Sequence, residues 1–449
     1  MKFFLGVLFV SALSAQPVTL AEAVHTAGEK YPSVRVSLEQ AAAAASQVNL
    51  ARLSYLPRAD LLAQANRATR NNVFGLLLPQ ATLPGISGPV LGTNSLTNVW
   101  GSAVGALVSW EPFDFGLRRA NVDTAEASER RAEAALSRTR FDIRTGAADS
   151  FLTVLAAGQA QKSAQAALER TRVLERIVAA QVAAELRPGA ELARARAEVA
   201  LAESQVALAE QASAVGLAAL AQFLGRSSSG LETAAGALLE MPPAVEPAGA
   251  VTEHPAAREQ QAAIGEADAR LKALDRSYFP RFNLQASSYA RGTGAQPDGT
   301  TGGAVTGLGP NIQNWAVGMT VTFPLLELPS IRERKKAETH RELAEKARHE
   351  LVLQELNGRM ERARAQLEGA RRVAQLAPAQ VEAARSAVEQ STARYRAGLT
   401  SVVEVADAQR LLAQAETDGS LANLAVWRAL LGVAAAAGDL EPFLRQAGR

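Results

Sequence analysis

The histidine and acidic side chains are the groups that could carry catalysis or hold a metal, so their spacing is the first test for an enzyme. Asp142, Asp149 and the many helical glutamates are spaced like solvated helix faces. The glycine-rich stretch 299–309 leads into another predicted strand, whereas a phosphate-binding loop leads into a helix. The histidines show no metal-ligand spacing; they are His25, His254, His340 and His349. We therefore expect no enzyme, no metal and no cofactor.

The overall composition excludes further kinds of site. The 449 residues include 47 Lys and Arg and 45 Asp and Glu, a formal net charge of +2. This balance gives no reason to expect a nucleic-acid partner. The chain has no cysteine, so we expect neither disulfides nor thiolate metal sites nor a lipoprotein. Abundant alanine with only 5% aromatic residues favours long, closely packed helices over a bulky core.

The first fifteen residues have the pattern of a secretory signal peptide. A basic start at Lys2 is followed by an apolar stretch over 3–10 and small residues up to Ala15. The alternative is a buried N-terminal helix. Beyond residue 15 no run reaches the roughly 18 to 20 uninterrupted apolar residues of a membrane helix. We predict an exported chain without a helical membrane anchor.

An internal duplication organises the rest of the chain. Tyr55-Leu56-Pro57-Arg58 matches Tyr278-Phe279-Pro280-Arg281, and Glu191 matches Glu404 at a slightly shorter separation. Each half is predicted to contain a helix, two strands and a long helix pair, with the first helix running from Thr19 to about Ser54. After the signal peptide 1–15, the first repeat covers 16–225, with strands about 56–70 and 98–113 and the helix pair 116–225. A linker or equatorial segment, 226–251, leads to the second repeat, 252–437, with strands about 279–291 and 313–325 and the helix pair 329–437. The C-terminal equatorial tail covers 438–449.

The predicted strands alternate in a way typical of transmembrane β-strands. One apolar face starts and ends with an aromatic residue, which suits the two interfaces of a bilayer; its residues are Trp315, Val317, Met319, Val321 and Phe323. The alternative is a half-buried strand in a soluble sheet. Four strands cannot close a membrane barrel, and open edges are not viable in lipid, so the strands must be shared between chains.

The long helix pairs predict a hollow tube. Helix-forming sequence runs over 116–185 and 329–396, which is roughly 100 Å at 1.5 Å per residue. The downstream helices carry heptads of small and apolar residues, and such residues let helices approach closely. Since the other faces are polar, a ring of these helices would enclose a wet lumen.

Two turn sequences closely resemble the tip motif of the TolC family of outer-membrane efflux proteins, which serve tripartite efflux and type I secretion systems. They lie at 395–409, YRAGLTSVVEVADAQ, and at 184–192, AELRPGAEL. The resemblance covers essentially the whole mature chain. It implies a mainly α fold with a small β part: a trimer with a long α-helical barrel of coiled-coil hairpins and a shared transmembrane β-barrel, four strands per protomer. It also implies an outer-membrane location that extends into the periplasm.

The same resemblance assigns roles to the tip residues. A gate at the periplasmic tip maps to Glu191, Tyr395, Glu404 and Asp407, and a ring of carboxylates there would attract cations. Contact with a periplasmic adaptor protein, which links to an inner-membrane pump, maps to Ala184, Glu185, Leu186, Ala397, Gly398, Leu399 and Thr400. Two residues depart from the family. Glu185 replaces a glycine at a tight turn that often needs a positive φ, and Thr400 stands where some members have a gate arginine.

The remaining alternative is a periplasmic coiled-coil adaptor or a structural scaffold. An adaptor would carry a compact β-rich module between its hairpin helices, whereas here the connecting turn is only a few residues long.

Overall fold

A computed structural model describes residues 17–69, 96–243, 250–296 and 300–448. The predicted signal peptide and most of the first strand-connecting loop lie outside these residues. The described helices and strands follow the predicted order, with two long helices of 67 and 69 residues. Their bounds are α1 Leu20–Lys30, α2 Pro32–Leu53, β1 Arg58–Thr69, β2 Asn98–Phe113, α3 Leu117–Ala183, α4 Gly189–Leu224, α5 Pro255–Arg276, β3 Arg281–Thr293, β4 Ile312–Thr322, α6 Leu328–Arg396, α7 Val402–Ala437 and α8 Glu441–Ala447.

The helix that we predict over Thr19 to about Ser54 is two helices, which corrects the prediction. α1 ends at Tyr31, whose φ of −64° and ψ of 136° are extended. The cause is Pro32, because a proline ring disfavours helical backbone at the residue before it. α5 in the second repeat also begins at a proline, and α2 and α5 both have 22 residues.

The four strands form one antiparallel sheet in the order β1-β2-β3-β4. β1 pairs with β2 from Arg58 opposite Ser109 to Thr69 opposite Asn98. β2 pairs with β3, and β3 pairs with β4. β1 and β4 are edge strands whose outer sides have no partner strand in the described part of the chain. The predicted mainly helical fold with a small four-stranded sheet is confirmed.

The burial of this sheet is the reverse of that in an ordinary soluble sheet. On β4 the large apolar side chains are the exposed ones: Trp315 is 79% and Met319 64% exposed. On β3, in contrast, the polar residues Gln285 and Ser287 are each only 8% exposed. Large exposed apolar surfaces mark contact with a membrane or another protein, and an apolar exterior with a polar interior is typical of transmembrane barrels.

The main hydrophobic core packs the C-terminal ends of α4 and α7 against the middle of α3 and α6 and against the segment between the repeats. Trp427 of α7 is 1% exposed and packs edge-to-face on Phe443 of α8, with ring centroids 6.0 Å apart. Its indole N–H donates to Glu240 O at 2.9 Å, and Leu238 in the same inter-repeat segment is buried. The segments 226–243 and 438–448 therefore pack on α7, and they contain short helical turns besides irregular chain.

The downstream helices of the two repeats match in length and in their caps. α4 and α7 have 36 residues each. They end at Gly225, with φ 63°, and Gly438, with φ 81°. Both glycines close a Schellman cap, in which the next residue's N–H donates to the carbonyl five residues earlier.

These two helices are also long and apolar enough to cross a membrane by length and composition, although charged residues interrupt their apolar runs. The apolar part of α7 is 61% buried within the chain, as in a core helix, whereas that of α4 is only 17% buried. The heptad seam predicted for α4 is at least half-buried along its length. It consists of Leu192, Ala195, Val199, Ala202, Val206, Ala209, Ser213, Gly216, Leu220 and Phe223. The exposed apolar surface of α4 lies on another face and repeats every seven residues; we call it the α4 stripe, and it consists of Leu201, Leu208 and Val215.

Candidate functional site

The candidate site is formed by the two tight turns that join α3 to α4 and α6 to α7. The first turn, residues 184–188, begins where α3 ends. Leu186 N–H donates to Gln181 O at 2.9 Å, and Glu185 N–H donates to Val182 O at 3.0 Å. This is a Schellman cap with Glu185 in the left-handed position, at φ 61°. The sequence-based expectation of a positive φ at this residue is confirmed.

The second turn, residues 397–401, repeats this geometry. Leu399 N–H donates to Arg394 O at 2.9 Å, and Gly398 N–H donates to Tyr395 O at 3.0 Å. Gly398 occupies the left-handed position, at φ 77°. The two turns therefore have the same backbone, but glycine holds the left-handed position in only one of them.

Both turns present a leucine to solvent. In a Schellman cap the residue after the left-handed position usually packs on an apolar residue in the last turn of the helix. Here those helix positions are Gln181 and Arg394, which offer no such contact. Leu186 and Leu399 accordingly remain 73% and 71% exposed. The other residues assigned to adaptor contact are exposed except Thr400, which is buried.

A cluster of polar contacts ties the two turns together; we call it the tip clasp, formed by Arg187, Glu191, Tyr395 and Thr400. Arg187 donates to Tyr395 O at 3.0 Å and lies 3.4 Å from Thr400 O. Its guanidinium stacks 4.7 Å from the centroid of the Tyr395 ring, within cation–π range. Arg187 and Glu191 form an ion pair of 3.7 Å, and Tyr395 Oη donates to Glu191 Oε2 at 3.0 Å.

The clasp lies on a small apolar core. Tyr395 is 1% exposed and packs with Leu174, Val178, Val402 and Val405. Burial, followed by the hydrogen bond to the Glu191 carboxylate, raises the pKa of Tyr395 to about 12. The phenol therefore stays protonated and remains a donor to Glu191 over the whole physiological pH range.

Arg187 is the clasp residue that the sequence analysis did not single out. Its first partner in space, Tyr395, lies 208 residues away in the chain. Thr400 occupies the position equivalent to Arg187 in the second repeat, as Glu404 does for Glu191. Arg187 of the first repeat thus reaches the carbonyl of Thr400, its own counterpart in the second repeat.

The remaining predicted gate residues stand apart from the clasp. Glu404 and Asp407 lie in the first turns of α7 and are exposed. Asp407 pairs with Arg410, which is also 4.0 Å from Glu198. Glu404 has no ion-pair partner among the described residues. Of the four predicted gate residues, the structure brings Glu191 and Tyr395 together.

Over the described ranges no three His, Asp or Glu side chains come close enough to hold a metal. A concavity of about 550 Å³ lies between α3, α4 and α7. Alanines and uncharged polar residues make up most of its wall, Leu201 and Leu208 also line it, and Arg170 in it pairs with Glu416 at 2.7 Å. It contains no constellation of groups suited to nucleophilic or acid–base chemistry.

The duplication, the long helical hairpins and the small sheet with an apolar exposed face define a class of membrane-associated helical-hairpin proteins. The sequence profile of the outer membrane efflux protein family matches residues 23–226 and 248–439. The chain belongs to this outer membrane efflux protein family. The resemblance inferred from the tip motif is confirmed, and the two matched segments correspond to the two repeats. A sequence comparison with curated proteins gives no match.

Solved channel structures share the fold. The CmeC outer membrane channel of Campylobacter jejuni superposes with a TM-score of 0.76 at 15% identity, over 96% of this chain and 89% of that one. The open state of the MtrE outer membrane channel of Neisseria gonorrhoeae gives 0.73 at 20% identity, over 94% and 89%. The outer membrane protein VceC of Vibrio cholerae gives 0.73 at 16% identity, over 94% and 96%.

Proposed function

We propose that this protein is the outer-membrane channel of a tripartite efflux or type I secretion system. Three copies form a duct across the outer membrane and the periplasm, and the duct is gated at its periplasmic tip. The sheet carries the proposal, because its exposed face is apolar while the polar Gln285 and Ser287 are buried. In a periplasmic adaptor or a soluble scaffold this apolar face would be exposed to water, which is unfavourable.

The open edges of the sheet support assembly between chains. Unpaired backbone groups in lipid cost several kcal/mol each, so a membrane sheet must close. Strands β1 and β4 leave such groups unpaired in the described chain. Closure between β4 of one copy and β1 of the next satisfies both edges, and three copies give a barrel of twelve strands.

The α4 stripe supports assembly between copies independently of the sheet. Exposed Leu201, Leu208 and Val215 repeat at the heptad spacing by which one helix packs along another. Membrane insertion is the other way to cover α4, but α4 also carries Arg194, Arg196 and Glu203, whose burial in lipid is costly. Packing against a second copy of the chain would cover the stripe without burying these charges in lipid.

The tip clasp is the part of the proposed gate that holds the two hairpins of one chain together. Opening requires breaking the contacts of Arg187 and the Tyr395–Glu191 hydrogen bond. Glu404 and Asp407 supply exposed carboxylates near the start of α7, and a ring of them from three copies selects cations.

The adaptor and its pump are the proposed partners, together with outer-membrane lipid, and no nucleic acid. The adaptor meets the two turns, where Leu186 and Leu399 are exposed. We propose export by the signal peptide 1–15 and no lipid anchor, since the chain has no cysteine.

The test is single-channel recording of the purified protein in a planar lipid bilayer. We expect a small, cation-selective conductance, and a loss of selectivity in Glu404→Gln/Asp407→Asn. The matched control is Asp418→Asn, which neutralises another exposed carboxylate of α7 farther from the turn. An unchanged selectivity in the double variant would show that other residues form the gate. A trimer that never conducts would refute the channel.

A further inference from the structure

The two turns share their backbone and their exposed leucine but differ in accessible charge. Each has a Schellman cap with the leucine directly after the left-handed residue. Residues at equivalent positions, however, are Glu185 against Gly398, Gln181 against Arg394 and Ala183 against Arg396. Since the two turns have the same backbone, the fold does not require these different residues.

The accessible charge of the first turn is negative. Glu185 is exposed and forms no ion pair with any described residue. The nearby Arg187 does not compensate it, because its guanidinium is directed into the tip clasp and its side chain is only 18% exposed. Glu185 also adopts a left-handed backbone at φ 61°, which is unfavourable for a residue with a Cβ. Left-handed backbone at a residue with a Cβ is enriched at functional positions.

The exposed charge on the α6 side of the second turn is positive, whereas the exposed Glu404 lies on its α7 side. Arg394 and Arg396 are exposed, and within the described ranges neither has an ion-pair partner. Gly398 removes both the carboxylate and the strain. Thr400 contributes no charge, and its side chain is buried.

We propose that the two turns are chemically different docking sites for helical hairpins of the adaptor. The hairpin on the first turn presents a lysine or arginine to Glu185 beside an apolar contact with Leu186. The hairpin on the second turn presents a carboxylate to Arg394 and Arg396 beside Leu399. The inference rests on the proposed function, which brings an adaptor to these turns, and it adds the charge of each partner surface. One trimer then has two alternating sets of three sites.

The cysteine-free sequence allows each turn to be monitored separately. Ala184→Cys and Ala397→Cys each introduce a single exposed thiol for a fluorescent label, one per turn. The probes are three synthetic helical-hairpin peptides that differ only at one turn residue next to a leucine, which is Arg, Gln or Glu. Binding to the labelled full-length trimer in detergent is titrated at low ionic strength.

At the first turn we expect the Arg hairpin to bind about two- to five-fold more tightly than the Glu hairpin, the effect of one exposed ion pair. At the second turn we expect the reverse order. Glu185→Gln keeps the side-chain size and the backbone strain but removes the charge, so it should abolish the preference at the first turn only. Glu185→Gly should do the same, which separates charge from backbone conformation.

Several results would overturn the inference. These are the same charge preference at both turns, a preference that survives Glu185→Gln, and the absence of binding by any hairpin at either turn. Dissociation of the Glu185→Gln trimer would also overturn it, because the partner of Glu185 would then be a second copy. Single-channel recording of the same proteins keeps the two proposals apart. A conducting trimer without a charge preference refutes only the docking sites, whereas a non-conducting trimer refutes the proposed channel.

Discussion

Replacing Arg187 by alanine should loosen the tip while the buried Tyr395 ring stays in its apolar core. The substitution removes a charged hydrogen bond of 3.0 Å to Tyr395 O, which contributes about 1.5 to 3 kcal/mol. It also removes the cation–π contact with the Tyr395 ring, about 0.5 to 2 kcal/mol. Glu191, whose side chain is 16% exposed, loses its ion-pair partner. A local loss of at least about 2 kcal/mol follows, or roughly 30-fold in the opening equilibrium.

Amide hydrogen exchange measures that equilibrium at the site itself. Peptides that cover residues 181–192 and 394–405 should exchange about 30-fold faster in Arg187→Ala, because the two turns are no longer tied together. Tyr395→Phe should have a smaller effect, since it removes only the hydrogen bond to Glu191 and keeps the ring under the guanidinium.

Arg196→Ala is the matched control. Arg196 is also in α4 and pairs with Glu175 at 3.5 Å, but its side chain is 68% exposed. Such a pair contributes less than about 1 kcal/mol, so exchange should rise less than about five-fold. Equal exchange in Arg187→Ala and Arg196→Ala would refute the conclusion that Arg187 ties the turns together.

Three further predictions concern backbone strain and pH. Glu185→Gly should raise the thermal midpoint, since relief of about 1 to 2 kcal/mol of left-handed strain exceeds the entropy cost of glycine, about 0.5 to 1 kcal/mol. Gly398→Glu should lower the thermal midpoint, and a shift of the same sign and size in both variants would contradict this reasoning. The pKa of Tyr395 is raised from 10.0 to about 12, so its stabilisation is complete below pH 10 and lost as pH rises through about 12. Tyrosinate absorbance should show one late-titrating tyrosine that Tyr395→Phe removes. Burial lowers the pKa of His254 below 6.5, so its stabilisation is present above pH 6.5 and is lost as pH falls through the folded pKa. The thermal midpoint of His254→Gln should depend less on mild acid than that of the wild type.

The large elements of this fold follow from periodicity in the sequence. Alternation with period two along 315–323 predicts the exposed apolar face of β4 because side chains of a strand point alternately to its two faces. The heptads of small residues predict the buried seam of α7, where Val405, Leu412 and Val426 are almost inaccessible. Such local patterns are readable because the residues that must share a face are close together in the chain.

Features that depend on distant residues were not predicted. The role of Arg187 requires contact with Tyr395 across 208 residues. Comparison of the two repeats, which aligns Arg187 with Thr400, could have drawn attention to it. The break at Tyr31, in contrast, has a local cause in Pro32, because a proline disfavours helical backbone at the residue before it. The solvent exposure of the α4 stripe could not be predicted either. Apolar residues every seven positions do not show which face of a helix packs within its own chain.

The matched 36-residue lengths of α4 and α7 restrict insertions and deletions within these helices. One end of each helix is fixed by the tip clasp, and the other by a left-handed glycine next to the main core. One added residue would turn everything beyond it by about 100° and shift it by about 1.5 Å. Leu220 and Leu224 of α4 would then leave the core. We therefore expect each of these helices to tolerate changes in residue type more readily than insertions or deletions, unless these add or remove whole heptads.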